Sequence, residues 1–401
     1  MKKLMKKKAW KTVYGVALAA VLVLGNAKTA RAEDGGATTG YSFNKVYQLD
    51  GDSAEGAKSP AETFTFESAD TTPRENQATL YAVSCTKYNS AAKLDQITKL
   101  GELPAGQADS IPAAAKAVTI GSATYVEGNL AKTADAASES VTRPVAVTVT
   151  AGSYQSVGYY YYEFREKAGN TAGVAYAADT YAVRVAVVND DTPAGALKID
   201  SVKLYRVNPD GSLGEKAENV TNEYAAGKLS VTKKVTGNMG DKNKEFTVEV
   251  TFTAPDGKEI HAPIAISTSA GITGNPTEAA INNAKTGATA SIKVKDGTTV
   301  VFFNIPKGVA YQVTETQAEG YHAPKYNGTE SAGGKGGTIT DTAAGTGTVG
   351  MAQSVEIENK RETTIDTGIF LSNLPYVLVL AGIAAAALLF FAGKKRRDRE
   401  K

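Results

Sequence analysis

One cysteine and two histidines are nearly all that this 401-residue chain offers to thiol chemistry, metal binding or proton shuttling. A lone thiol, Cys85, leaves no internal disulfide. It reads as a small buried apolar residue rather than a reactive nucleophile. His261 and His322 both sit near prolines in loop-like sequence, so a zinc ligand set or a Ser-His-Asp triad has little to build on. No metal and no cofactor is expected. Long 3.6-period apolar patterns are scarce, which argues against a helical bundle.

Long hydrophobic runs occur only at the two ends. Lys2, Lys3, Lys6, Lys7, Lys8 and Lys11 precede an apolar stretch from Val13 to Leu24, and Ala30-Arg31-Ala32 places small residues before Glu33. This is the layout of a cleaved signal peptide over 1–32; the apolar run is short for a membrane span. At the other end an apolar run covers 374–392 and a basic tail covers 394–401. That run has about the ~20 residues a membrane helix needs, with the basic tail expected in the cytoplasm. A short motif at 364–368, Thr-Ile-Asp-Thr-Gly, stands before it. Motif, span and basic tail together have the layout of a sortase cell-wall sorting signal over 363–401.

Net charge misleads when taken over the whole chain. Of its 44 basic and 42 acidic residues, the first 32 positions hold eight basic ones, and the residues after Thr367 hold six basic and two acidic. The stretch Glu33–Thr367 therefore carries 30 basic and 40 acidic residues, a balance of −10. An acidic ectodomain argues against nucleic acid as a partner.

Between the ends the chain is rich in Thr, Val, Tyr, Ala and Gly in alternating segments, which reads as all-β. Asn208-Pro209-Asp210-Gly211 and Ala254-Pro255-Asp256-Gly257 read as hairpin turns. Residues 91–137 are the least strand-like and read as a short helix or an irregular insertion. The length suits two domains, and an internal repeat divides them at 33–226 and 227–362. Each half opens with a lysine-bearing strand, carries a tyrosine-rich strand with a glutamate, and closes with an asparagine-bearing strand.

Pleat alternation decides which side chains of these strands share a face. Tyr41, Phe43, Lys45, Tyr47 and Leu49 align, as do Tyr160, Tyr162, Phe164 and Glu166, and Val220, Asn222 and Tyr224. In the second half Leu229, Val231, Lys233 and Val235 align, as do Val309, Tyr311, Val313 and Glu315, and Val355, Ile357 and Asn359. Each half thus sets one Lys, one Glu and one Asn on otherwise apolar faces. Burial of such groups unpaired is costly. It lowers a lysine pKa and raises a glutamate pKa, by up to roughly 3–5 units when complete. A neutral amine is a nucleophile, and a protonated glutamate can relay protons. Attack of the amine on the amide carbon expels ammonia and leaves a Lys–Asn isopeptide bond. The alternative is a buried Lys–Glu ion pair beside a hydrogen-bonded Asn. The same pattern twice, in the same order, favours the bond.

With these residues in place the chain resembles a family: two-domain, sortase-assembled backbone pilins of Gram-positive bacteria, of the streptococcal T-antigen type, with isopeptide-linkage (Cna-B-like) domains. LSVTKKVTGNMGDKNKEFTV from Leu229 resembles the family's opening strand of the second domain. YQVTETQAEGY from Tyr311 resembles its glutamate box, and IENKRETTIDTG from Ile357 its closing strand and sorting motif. YEFREKAG from Tyr162 in the first half is a looser match.

The resemblance implies two immunoglobulin-like β-sandwiches. It implies isopeptide sites at Lys45, Glu166 and Asn222 and at Lys233, Glu315 and Asn359, with the two glutamates catalytic. It also implies that a pilin sortase cuts Thr367–Gly368 and holds Thr367 as a thioacyl until a lysine of the next subunit attacks. Lys216 occupies the family's position for that lysine, with Lys228 a competitor. The implied partners are the sortase, identical subunits, accessory pilins and peptidoglycan, at the surface of a Gram-positive cell. Ile365-Asp366 departs from the family's usual Leu-Pro-x-Thr-Gly, which bears on which sortase accepts the motif.

Other patterns carry less. Gly345–Gly350 fits GxGxxG but has no helix after it, as a nucleotide loop needs. Asn189-Asp190-Asp191 reads as a solvated turn. The rival functions are a monomeric wall-anchored or tip adhesin that uses its domains as a stalk, and a surface enzyme. The shortage of His and Cys weighs against the enzyme.

Overall fold

The computed structural model describes residues 38–69, 75–84, 117–133, 137–155, 157–190, 196–267, 277–330, 345–363 and 374–397. The proposed signal peptide, Cys85, Thr367 and Gly368 lie outside these residues. Two compact units emerge. The first comprises residues up to Gly227 together with Pro255–Ala262, and the second the remainder.

The first unit holds strands β1 Thr38–Leu49, β2 Glu62–Phe64, β3 Phe66–Ser68, β4 Thr79–Ser84, β5 Val118–Ile120, β6 Ala123–Tyr125, β7 Ala131–Lys132, β8 Ala137–Ser138, β9 Ser140–Thr150, β10 Gly158–Glu166, β11 Val174–Ala175, β12 Thr180–Asp190, β13 Ala196–Val207, β14 Leu213–Lys216 and β15 Asn219–Tyr224. They form a five-stranded sheet in the order β11-β15-β1-β9-β5 and a six-stranded sheet, β14-β13-β12-β10-β3 with β4 beside β10. One apolar core joins the inner faces of both, with Phe43, Tyr47 and Val147 from one sheet meeting Phe164, Val183 and Leu204 from the other. Phe66 packs edge-on against Phe43 and Phe164, with ring centroids 5.3 and 5.7 Å apart.

The second unit holds β16 Ala226–Thr236, β17 Phe246–Thr253, β18 Ala265–Ile266, β19 Ala280–Ile281, β20 Gly287–Val294, β21 Thr299–Pro306, β22 Ala310–Glu315, β23 Lys325–Glu330, β24 Gly345–Thr348 and β25 Ala352–Lys360. Its two sheets run β18-β21-β16-β25-β23 and β19-β20-β17-β22-β24. Phe252 and Phe302 meet across them at 5.4 Å. The all-β expectation therefore holds, and each unit is a sandwich of two sheets.

In both units the opening strand lies next to the closing strand and runs parallel to it. β1 pairs β15 in parallel, as β16 pairs β25. β1 bonds β9 on its other edge. This central position of β1 is why Lys45 on its inner face is shielded on every side.

Two expectations need correction. Residues 117–132, read as irregular or helical, contain β5, β6 and β7. The turn at Asn208–Gly211 does close a hairpin between β13 and β14, with Gly211 at φ 79°. Pro255–Lys258 is also a tight turn, closed by the Lys258 N–H on the Pro255 carbonyl, but not a hairpin. β17 ends at Thr253 and pairs β20 and β22 instead. β10 and β12 are buried on both faces, with Tyr161 and Ala182 enclosed on the side away from the main core. Gly345–Thr348 of the GxGxxG pattern is strand β24, paired with β22.

The chain leaving β25 is clasped as far as Thr363. The Thr236 carbonyl accepts the Arg361 N–H at 3.1 Å, and Asn238 exchanges two hydrogen bonds of 3.0 Å with the Thr363 backbone. Gly237 sits between them at φ 88°, where a Cβ would fall 2.2 Å from the Arg361 carbonyl oxygen. Beyond the sandwich, helix α1 covers Leu374–Arg397. Its 24 residues rise about 36 Å at 1.5 Å each. No charge occurs before Lys394, and Leu378, Leu380, Ile383 and Leu388 are exposed. Among the described residues no helix is long and apolar enough to cross a membrane.

Candidate cross-linking sites

In the first unit, Lys45 and Asn222 project from neighbouring strands of one sheet and Glu166 from the end of β10 in the other. The parallel register sets Lys45 opposite Val220 and Tyr47 opposite Asn222, so the two side chains converge from positions one pleat apart. Lys45 Nζ lies 2.5 Å from Glu166 Oε2 and donates to Asn222 Oδ1 at 2.6 Å. Asn222 Nδ2 donates to the other carboxyl oxygen of Glu166. Nζ also stands 4.6 Å from the centroid of the Phe64 ring. The Tyr125 hydroxyl donates to the Lys45 carbonyl at 2.6 Å and ties β6 to β1.

The second unit repeats this plan. Lys233 on β16 pairs with Ile357, and Val235 with Asn359, the same offset. Lys233 Nζ donates to Asn359 Oδ1 and lies 2.9 Å from Glu315 Oε2 across the sandwich. Asn359 Nδ2 donates to Glu315 Oε1 at 2.5 Å. The Lys233–Glu315 contact is an ion pair with poor hydrogen-bond alignment, because Oε2 has no aligned donor. The amine's N–H bonds point instead to Asn359 and to the Ile357 carbonyl at 3.4 Å. Phe246 supplies the aromatic floor, 4.3 Å from Nζ. The Glu315 N–H donates to the Tyr326 hydroxyl oxygen at 2.8 Å and fixes the end of β22.

All six side chains are buried, and Lys45 and Asn359 expose none of their surface (0 %). Desolvation pushes the Lys45 amine down to about 8, against the opposing pull of Glu166. Desolvation likewise raises the Glu166 carboxyl, partly offset by Lys45. Lys233 is lowered by the same cause, with Glu315 opposing. Each site therefore holds an amine biased toward its neutral form, in contact with an amide whose nitrogen a carboxyl group already touches. That arrangement suits nucleophilic attack on the amide carbon and proton transfer to the departing nitrogen.

The lowered amine has a measurable signature in a chain that cannot cross-link. Unfolded Lys45 keeps its proton up to its ordinary value of 10.5, while the folded group releases it near 8. Between those values the unfolded state binds more protons, so this group makes stability rise with pH. In an Asn222→Ala chain, the stability deficit of the first unit relative to the parent should shrink from pH 8 to pH 10, as read by urea melts. A deficit that stays constant would mean that Lys45 remains charged when folded.

Lys216 ends β14, at the edge of the six-stranded sheet, with its side chain exposed and its amine 3.2 Å from Glu218. It lies on a different sheet from Lys45 and Asn222. Lys228, its competitor, is half-buried at the start of β16. His261 pairs with Glu259 at 3.0 Å, away from both triads. Among the described residues no group of three His, Cys, Asp or Glu side chains could hold a metal ion.

Sequence reasoning missed the aromatic floors and one backbone donor. Phe64 and Phe246 could have been found as apolar residues on inward faces. The donor, the Ala177 N–H, reaches Asn222 Oδ1 at 2.9 Å and leaves no trace in residue type.

Comparison with known proteins agrees with the motif resemblance. A family model described as a domain of unknown function, DUF7601, matches residues 227–360. A curated protein named "Pilin" from Streptococcus pyogenes serotype M1 is 26% identical over 251 residues, covering 61% of this chain and 69% of that protein. The pilus tip adhesin Cpa of Streptococcus pyogenes is 30% identical over 142 residues, which are 35% of this chain and 18% of the adhesin. Among solved structures, the major pilin of Streptococcus pyogenes aligns at TM-score 0.44 and 18% identity, over 82% of this chain and 100% of that one. The T3.2 major pilin of the same species aligns at TM-score 0.44 and 19% identity, over 80% and 97%. The chain is thus similar in sequence to a streptococcal pilin along most of that protein's length.

Proposed function

We propose that this chain is a structural subunit of a covalently polymerised surface pilus on a Gram-positive cell, with an isopeptide bond inside each unit. The observation that carries the reading is the pair of enclosed Lys–Glu–Asn triads, each joining the first and last strands of a sandwich. In each, the neutral lysine attacks the asparagine Cγ, the glutamate passes the amine proton to the amide nitrogen, and ammonia leaves. Fixed contact between the groups supplies most of what the reaction needs.

The ends supply export and attachment. The signal peptide directs secretion, and the apolar run 374–392 with its basic tail holds the chain at the membrane until the sortase acts. A pilin sortase cuts Thr367–Gly368, and a lysine of the next subunit takes over Thr367. Accessory pilins and peptidoglycan complete the assembly. The likeness to the curated pilin supports this reading.

Proteolytic digestion of the purified chain and mass mapping of its peptides test the chemistry. Two joined peptides are expected, Lys45 with Asn222 and Lys233 with Asn359, each lacking one ammonia. Only linear peptides would reduce both triads to buried ion pairs. A second reading, a tip or wall-anchored adhesin with the same domains as a stalk, draws on the match to a pilus tip adhesin. The two part on whether the chain forms polymers.

A further inference from the structure

Ala177 lies between β11 and β12, half-buried, and donates its backbone N–H to Asn222 Oδ1 at 2.9 Å. The Asn222 amide is therefore held at both ends, its oxygen by this N–H and its nitrogen by Glu166. Because a backbone N–H can only donate, it also settles which end of the amide is oxygen. The connection that presents Ala177 is itself fixed. β11 pairs β15 through Val174 and Tyr224, and the Ala225 N–H bonds the Gly173 carbonyl at 2.9 Å. The Tyr176 ring packs edge-on to Phe64 at 5.9 Å, and Phe64 is the ring beneath the Lys45 amine.

We propose that the Ala177 N–H is the oxyanion donor of the first cross-linking site, an element the second site does without. The inference rests on the cross-linking reading given above. When the Lys45 lone pair forms the bond to Asn222 Cγ, the carbonyl π electrons move onto Oδ1, where the Ala177 N–H meets the new negative charge. The amine proton passes to Glu166 and on to Nδ2, the Cγ–Nδ2 bond breaks, and ammonia departs as the carbonyl re-forms. A preorganised donor aimed at the atom where charge develops is among the strongest rate effects available to a protein. In the second unit Asn359 Oδ1 accepts only from Lys233 among the described residues. The two reactions thus share a nucleophile and a carboxyl group but differ in this one hydrogen bond.

The second site is an internal clock for the test. The full chain is made in a cell-free system, chased for increasing times, digested, and the two joined peptides quantified. Ala177→Pro removes the donor, and Ala177→Gly keeps it. Ala177→Pro should slow the Lys45–Asn222 bond by roughly a hundredfold, the low end of what one lost oxyanion donor costs. Lys233–Asn359 should form at the parental rate, and Ala177→Gly should match the parent at both sites. An unchanged Lys45–Asn222 rate in Ala177→Pro would overturn the inference and leave the cross-linking reading intact. No joined peptide in the parent would overturn both.

If Ala177→Pro does not fold its first unit, amide hydrogen exchange at Ala177 decides. Exchange should be slow in Lys45→Ala chains, which cannot cross-link, and clearly faster once Asn222→Ala is added. Equal exchange in the two would show that no such bond exists.

Discussion

Asn222→Ala and Asn359→Ala should each lower the melting temperature of the affected unit by about 10–20 °C. The proposed bond in the first unit would span 177 positions of sequence and that in the second 126. By the relation for cross-linked loops, closing loops of that length is worth on the order of 5 kcal/mol each. Near the melting point, about 2–4 °C accompany each kcal/mol in domains of this size. The alanine leaves Lys45 facing Glu166 and Lys233 facing Glu315, so neither charge is stranded. Part of any loss would come from the missing amide hydrogen bonds, about 1 kcal/mol each. Glu166→Gln and Glu315→Gln keep the amide but remove both the proton relay and the lysine's carboxylate partner. Calorimetry should place the Gln and Ala variants together, well below the parent. Drops of only a few degrees would mean that the sandwiches stand without a covalent tie.

The second large effect concerns polymers. Lys216→Ala should abolish the ladder of high-mass species in immunoblots of wall extracts, while Lys228→Ala should leave it intact. Lys216 stands exposed on an edge strand, its amine paired with nearby Glu218. An exposed pair of this kind is worth roughly 0–1 kcal/mol, so the amine is free to leave it and attack an acyl group. Lys228 is half-buried beside the closing strand of the second unit. A normal ladder from Lys216→Ala would reject the assignment. The absence of any ladder from the parent chain would favour the adhesin reading.

The six triad positions were legible because period-two alternation is a rigid rule. A lysine between Phe43 and Tyr47, or between Val231 and Val235, has to face inward with them. The rule has no information about the opposite face, so the burial of Tyr161 and Ala182 did not show. Nor did the short strands β5, β6 and β7, which are two or three residues long and too brief for alternation to register. The turn at Pro255–Lys258 was read correctly from Pro-Asp-Gly, but whether a turn closes a hairpin depends on which strands pair, a tertiary matter. The Ala177 donor was invisible because every residue except proline carries an N–H, and only the fold decides where it points.

The parallel pairing of first and last strands has a mechanical consequence. A chain end enters each sandwich on a strand that lies against the strand by which the other end leaves. In the proposed pilus, load taken at Lys216 reaches Asn222 over six residues, enters the second unit at Lys233 and leaves at Asn359, so that tension there passes through the Lys233–Asn359 bond and the residues enclosed by it carry none. The backbone under load ahead of the second tie is only the run from Lys216 to Lys233, at most about 60 Å when fully extended. In the proposed polymer, subunits linked in this way form an almost inextensible cord. The loops enclosed by the second tie are mechanically idle in such a fibre.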